Sequence, residues 1–151
     1  MSSRAERIPL EDEAALAAFA REAAMMLAPG ALLVLSGPLG AGKTSFVRHL
    51  ASALGSDAEV TSPTYTLVHE YPTPVGTLVH VDAYRLQGDT ALQALGLDEA
   101  RERARLTVVE WGEALLAEDP TALHLALDRA GAAGTPRHGA TWLRPPPARR
   151  R

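Results

Sequence analysis

With 151 residues, the chain is long enough to bury one sizeable core and too short for two ordinary domains. Its formal charge of −3 excludes a blanket attraction to nucleic acid or to a membrane surface, so any RNA contact has to be local or borrowed from a partner. The absence of cysteine excludes disulfides, thiolate metal sites and a cysteine nucleophile. No apolar run approaches the ~20 residues of a membrane helix, and Glu6, Glu11, Asp12 and Glu13 argue against a signal peptide, so a cytoplasmic setting without membrane contact is expected.

Glu11 to Leu27 is predicted as an Ala-rich amphipathic helix, with acids in its first turn and the breaker Pro29-Gly30 beyond its end. Ala31-Leu32-Leu33-Val34-Leu35 is a continuous apolar run, the pattern of a strand covered on both faces in a parallel sheet. Directly after it stands Gly37-Pro38-Leu39-Gly40-Ala41-Gly42-Lys43-Thr44, a complete G-x-x-x-x-G-K-[ST] phosphate-binding loop. Lys43 is the chain's sole lysine, against fourteen arginines. A compact ammonium on a flexible stem reaches between terminal phosphates, where a planar guanidinium is too bulky for the surrounding nest of backbone amides. The loop glycines turn successive N–H groups toward the phosphates, and the helix that follows adds the partial positive charge of its N-terminus. That helix is legible in Val47, Leu50, Ala51 and Leu54, which share one face before Gly55 ends the run. The expected ligand is a nucleoside triphosphate.

Val60 to Tyr71 mixes β-formers with Ser62-Pro63, Thr77 to Asp82 is a second strand, and Pro72 to Gly76 between them is a hairpin-like turn. Within the first of these, Thr61-Ser62-Pro63-Thr64-Tyr65-Thr66 falls where many P-loop proteins place a nucleotide-sensing loop. Its rival reading is an edge strand whose threonines reflect propensity alone. Asp89 is expected to cap a short helix through Leu95, and Asp98 another through about Arg103. Leu106 to Val109 is a third strand ending in Glu110, and Ala122 to Asp128 and Ala140 to Leu143 are late strands joined by the Gly-rich stretch Gly131 to Gly139. The fold expected is α/β and P-loop NTPase-like: a mostly parallel central sheet flanked by helices, with antiparallel additions. A single domain is expected over residues 1–144, with a Pro/Arg-rich disordered tail over 145–151. The five histidines show no close ligand spacing and are read as satisfied structural residues.

Two acids, Asp82 and Glu110, end apolar strands, where open α/β sheets place their ligands. Phosphoryl transfer needs Mg2+ held between the loop hydroxyl, here Thr44, and a carboxylate, with another polar group orienting the attacking oxygen. Asp82 and Glu110 are the two carboxylate candidates; a turn cap and a surface acid are their structural alternatives.

At this point the chain resembles the TsaE family, formerly YjeE, of bacterial ATPases of tRNA threonylcarbamoyladenosine biosynthesis. The resemblance is collinear through the P-loop from Gly37 to Ser45, Ser62-Pro63-Thr64-Tyr65-Thr66-Leu67-Val68, His80-Val81-Asp82-Ala83-Tyr84-Arg85-Leu86 and Glu110-Trp111-Gly112-Glu113, within a span from about Leu10 to Asp128. The loop alone is unspecific; the later blocks, in this order and spacing, are diagnostic. The resemblance implies an ATP- and Mg2+-dependent ATPase, slow alone, that supports modification of the adenosine next to the anticodon together with the TsaB and TsaD subunits. It implies that Lys43 contacts phosphates, with the backbone of Gly37, Leu39, Gly40, Ala41 and Gly42 and the hydroxyl of Ser45 around them. Thr44 ligates magnesium, Asp82 is the Walker B acid and Glu110 lies at the metal and the attacking water. Trp111 shapes the pocket and Thr64 lies on a switch-like loop. Arg85 is structural or faces the partner. tRNA is reached only indirectly or through the basic tail. The chain departs from the family at Pro38, where the loop usually carries an acid and where no N–H is available, and at Ser45, which replaces a threonine and keeps a hydroxyl.

A GTPase would need an Asn-Lys-x-Asp base reader, and the chain has no asparagine and no second lysine. A small-molecule kinase would use Arg101-Glu102-Arg103-Ala104-Arg105 as an arginine lid over the phosphates. A non-catalytic, nucleotide-dependent docking module is the alternative from another class.

Overall fold

The structure, a computed structural model, describes residues 6–38, 40–57, 60, 68–82, 97–129 and 138–147. Leu39, Thr64, Arg85, the helix expected from Asp89 to Leu95, the linker up to residue 137 and residues 148–151 lie outside that set. Among the described residues the elements are β1 (Arg7–Leu10), α1 (Glu13–Met26), β2 (Ala31–Ser36), α2 (Lys43–Ala53), β3 (Val68–Tyr71), β4 (Thr77–Asp82), α3 (Leu97–Arg103), β5 (Ala104–Glu110), α4 (Glu113–Glu118), β6 (Leu123–Asp128) and β7 (His138–Arg144). The strands form one sheet in the order β1-β7-β6-β2-β5-β4-β3.

The four inner strands β6, β2, β5 and β4 are mutually parallel, and the antiparallel pairings of β1 with β7, β7 with β6 and β3 with β4 extend the sheet at its margins. This is the expected α/β architecture. The apolar runs follow from two-sided burial, because alternate side chains leave opposite faces of a strand. On one face Leu33, Leu35, Leu78, Leu106, Val108 and Leu125 pack with Phe46, Val47 and Leu50 of α2 and with Phe19 of α1. On the other, Leu32, Val34, Val79, Val81 and Val109 meet Leu115 of α4 and, half-buried, Ala100 of α3.

Helix α1 starts at Asp12, whose side chain accepts a hydrogen bond from the Ala15 N–H at 2.8 Å. It is tied to α2 through the Phe19–Phe46 ring contact at 5.8 Å. The turn between β3 and β4 closes with reciprocal Thr73 and Gly76 backbone bonds of 3.2 Å. Helix α3 begins at Leu97, one residue before the Asp98 expected to cap it. Pro146 is buried and, with Pro147, lines a small cavity beside Met26 and Pro29. No helix among the described residues is long and apolar enough to cross a membrane.

Candidate functional site

Parallel pairing brings the ends of β2, β4, β5 and β6 to one edge of the sheet, and the phosphate-binding loop leaves β2 in the middle of that edge. Gly37 has φ +144° and presses so closely on β6 that a Cβ there would be driven into the Leu127 carbonyl oxygen. Gly42 caps α2 at φ +98°, with no side chain in the way of an incoming group. The loop is tightened by the Ala41 N–H to the Pro38 carbonyl at 3.1 Å, a bond proline can still accept, and by the Phe46 N–H to Gly42 at 2.9 Å. Gly37→Ala is expected to destabilise the domain by more than about 2 kcal/mol. A fall in Tm of about 5 °C or more on thermal unfolding would register it; an unchanged Tm would mean that the loop moves freely off β6.

Lys43 is 6% exposed, donates from Nζ to the Gly37 carbonyl at 2.6 Å, and lies 4.0 Å from the centroid of the Trp111 ring. Burial pushes its ammonium below the usual lysine value, while the charges of Glu110, Asp82 and Glu113 pull it back up. Trp111 adopts φ +61°, the left-handed region that a bulky residue seldom enters.

Asp82 and Glu110 stand opposite each other in the β4–β5 register, and Leu35 opposes Glu110 from β2, so both acids project to the face that carries α2. Glu110 is 5% exposed and is held at Oε2 by Nε2 of the fully buried His80 at 2.5 Å. Sequence reasoning read His80 as an ordinary satisfied histidine, because nothing local announces that it meets the acid of a neighbouring strand. Thr44 and Ser45, both half-buried, open α2 beside the loop. A hydroxyl and carboxylates are donors of the kind that could hold Mg2+ together with phosphate oxygens and water, since this ion seldom takes an all-protein cage.

A cavity of about 560 Å³ adjoins the loop, between Gly40, Ala41, Gly42, Thr44 and Ser45 on one side and Leu10, Glu11 and His138 on the other. The far wall was not anticipated. Leu10 and His138 are distant in sequence and meet because they are register partners in β1 and β7. The Arg129 guanidinium, following β6, reaches Gly40, with Nη1 2.9 Å from where a Cβ on that glycine would stand. The arginines considered as a lid are engaged away from the loop. Arg101 bonds Asp119 at 2.9 Å, Arg103 reaches the Glu99 carbonyl at 3.4 Å, and Arg105 donates to the Leu27 carbonyl at 2.9 Å.

Comparison with known proteins agrees with this geometry. The family model for the threonylcarbamoyl adenosine biosynthesis protein TsaE matches residues 10–135. The chain is 38% identical over 115 residues to the tRNA threonylcarbamoyladenosine biosynthesis protein TsaE of Bacillus subtilis strain 168, covering 76% of this chain and 72% of that one. It is 44% identical over 115 residues to the protein of the same name from Streptomyces coelicolor, covering 73% and 76%. A crystal structure of Bacillus subtilis YdiB superposes with a TM-score of 0.67 at 29% identity, over 93% of this chain and 87% of that one. Phosphate loop, facing strand-end acids and these likenesses over most of the chain converge: it belongs to the TsaE family of tRNA threonylcarbamoyladenosine biosynthesis proteins.

Proposed function

We propose that the chain binds ATP with Mg2+ and hydrolyses it slowly, as the ATPase subunit that supports threonylcarbamoyl modification of the tRNA adenosine next to the anticodon, together with TsaB and TsaD. The observation that carries this reading is the convergence on Lys43. The ammonium is buried inside the phosphate loop, and two of the three carboxylates that act on its charge, Asp82 and Glu110, end adjacent parallel strands in register.

In this reading the β- and γ-phosphates replace the Gly37 carbonyl as the partner of Lys43, which stays against Trp111, while the N–H groups of Gly37, Gly40, Ala41 and Gly42 surround them, Pro38 having none to offer. Ser45 meets the α-phosphate. The nucleoside extends into the cavity between Ser45 and the Leu10–His138 wall, which has the volume for an adenosine. Thr44, Asp82 and Glu110 would hold Mg2+, whose contribution when bound is to neutralise charge on the β- and γ-oxygens. Asp82 is the Walker B carboxylate. Glu110, at the end of the next strand, orients the attacking water and takes up its proton. Thr64 acts from a switch-like loop that senses the γ-phosphate. tRNA is reached through the partner subunits or through Arg149 to Arg151.

The test is ADP release with and without the TsaB–TsaD pair. Low activity alone and a rise of about tenfold, equivalent to ~1.4 kcal/mol of barrier, is expected at saturating partner. No difference would sink the partner-dependent part of the proposal.

A further inference from the structure

We propose that His80 is a positioning residue for the reacting carboxylate: it grips one oxygen of Glu110 from the sheet interior and leaves the other for the space around Lys43. This rests on the role given to Glu110 above.

The placement follows from register. His80 opposes Val108 and Asp82 opposes Glu110, so His80 stands one pleat behind the acid on the neighbouring strand, with its side chain on the same face. His80 is 0% exposed and Glu110 5%, and Nε2 meets Oε2 at 2.5 Å. A carboxylate drawn this far out of water needs a donor, and His80 is the side chain that bonds it among the described residues. Its neighbours in register are Val108 of β5 and His69 of β3, so the residue sits inside the sheet with a strand on either side.

The proton's location follows from the same contacts. An ionised carboxylate only accepts, so the shared proton belongs to Nε2. Nδ1 is buried with no hydrogen-bond partner among the described residues, and an N–H there would lack an acceptor. The ring is therefore held as a one-sided donor aimed at Glu110. Serving only to fill the core, this position would suit leucine better, because an apolar side chain leaves no orphaned nitrogen. The orphan is tolerated because its partner atom fixes a functional group, the arrangement found behind many metal and catalytic ligands.

The decisive comparison is between His80→Gln, whose amide N–H reaches the position of Nε2, and His80→Asn, whose shorter amide does not. In the full chain with the TsaB–TsaD pair, Asn should lower kcat for ATP about 10–100-fold with KM nearly unchanged, while Gln restores most of the rate. A readout free of turnover accompanies it. ADP affinity, measured by calorimetry with and without Mg2+, should show a Mg2+-dependent gain in wild type and Gln that is weakened in Asn, with equal affinities in EDTA. Equal behaviour of Gln and Asn, or parallel loss of kcat, KM and Tm in both, would overturn the proposal. Absence of ADP release by wild type would remove the ATPase reading, and the Mg2+-dependent affinities would still decide the part played by His80.

Discussion

Lys43→Ala is expected to abolish nucleotide binding while the domain stays folded. The wild-type ammonium makes a 2.6 Å bond to the Gly37 carbonyl and lies 4.0 Å from the Trp111 ring, and phosphate oxygens would replace the weaker neutral acceptor with charged ones. A charge-assisted bond of ~3 kcal/mol corresponds to about a 100-fold change in Kd, and a triphosphate engages the lysine through more than one oxygen. Isothermal titration with ADP and a non-hydrolysable ATP analogue measures it directly. Lys43→Arg should not rescue binding, since the guanidinium needs a wider opening than a loop whose Gly37 already touches β6. Binding within a few-fold of wild type in Lys43→Ala would remove the loop from the functional account, whatever its sequence.

The second large effect concerns Glu110→Gln. The amide keeps the volume and an oxygen that can still accept from His80, so folding and ADP affinity in EDTA should stay close to wild type, while the Mg2+-dependent gain in affinity is weakened. The rate of ADP formation should fall by about 100-fold or more, because the charge that orients water and accepts its proton is lost. Asp82→Asn, on the facing strand, should also depress Mg2+-dependent hydrolysis more than binding. If Glu110→Gln hydrolyses ATP at the wild-type rate, Glu110 is a structural acid. If it loses hydrolysis yet fully supports tRNA modification, the chain works as a nucleotide-dependent docking module.

The inner strands were legible because burial on both faces writes an uninterrupted apolar run: β2 and β4 were expected within a residue of their bounds, and β5 was expected from Leu106 where it begins at Ala104. The loop and the two strand-end acids were legible for a related reason, since their types and places are dictated by phosphate and metal chemistry. Two short elements were not. β1 is four residues, one of them Pro9, and exists by pairing with β7; α4 spans only Glu113–Glu118, less than two turns, too little for a periodicity to stand out. His80 and Trp111 mark a different limit. Which carboxylate a histidine meets depends on the pairing of strands 30 residues apart, and a left-handed tryptophan depends on the packing beneath it, so neither is written locally. The Leu10–His138 wall is hidden for the same reason.

That wall also sets an order in time. The loop, β4, β5 and the strand on which Gly37 rests, β6, all end by Asp128, whereas β7 begins at His138. On the proposed reading, the residues assigned to phosphates are therefore made before the wall assigned to the nucleoside, which needs the last described strand paired with the first.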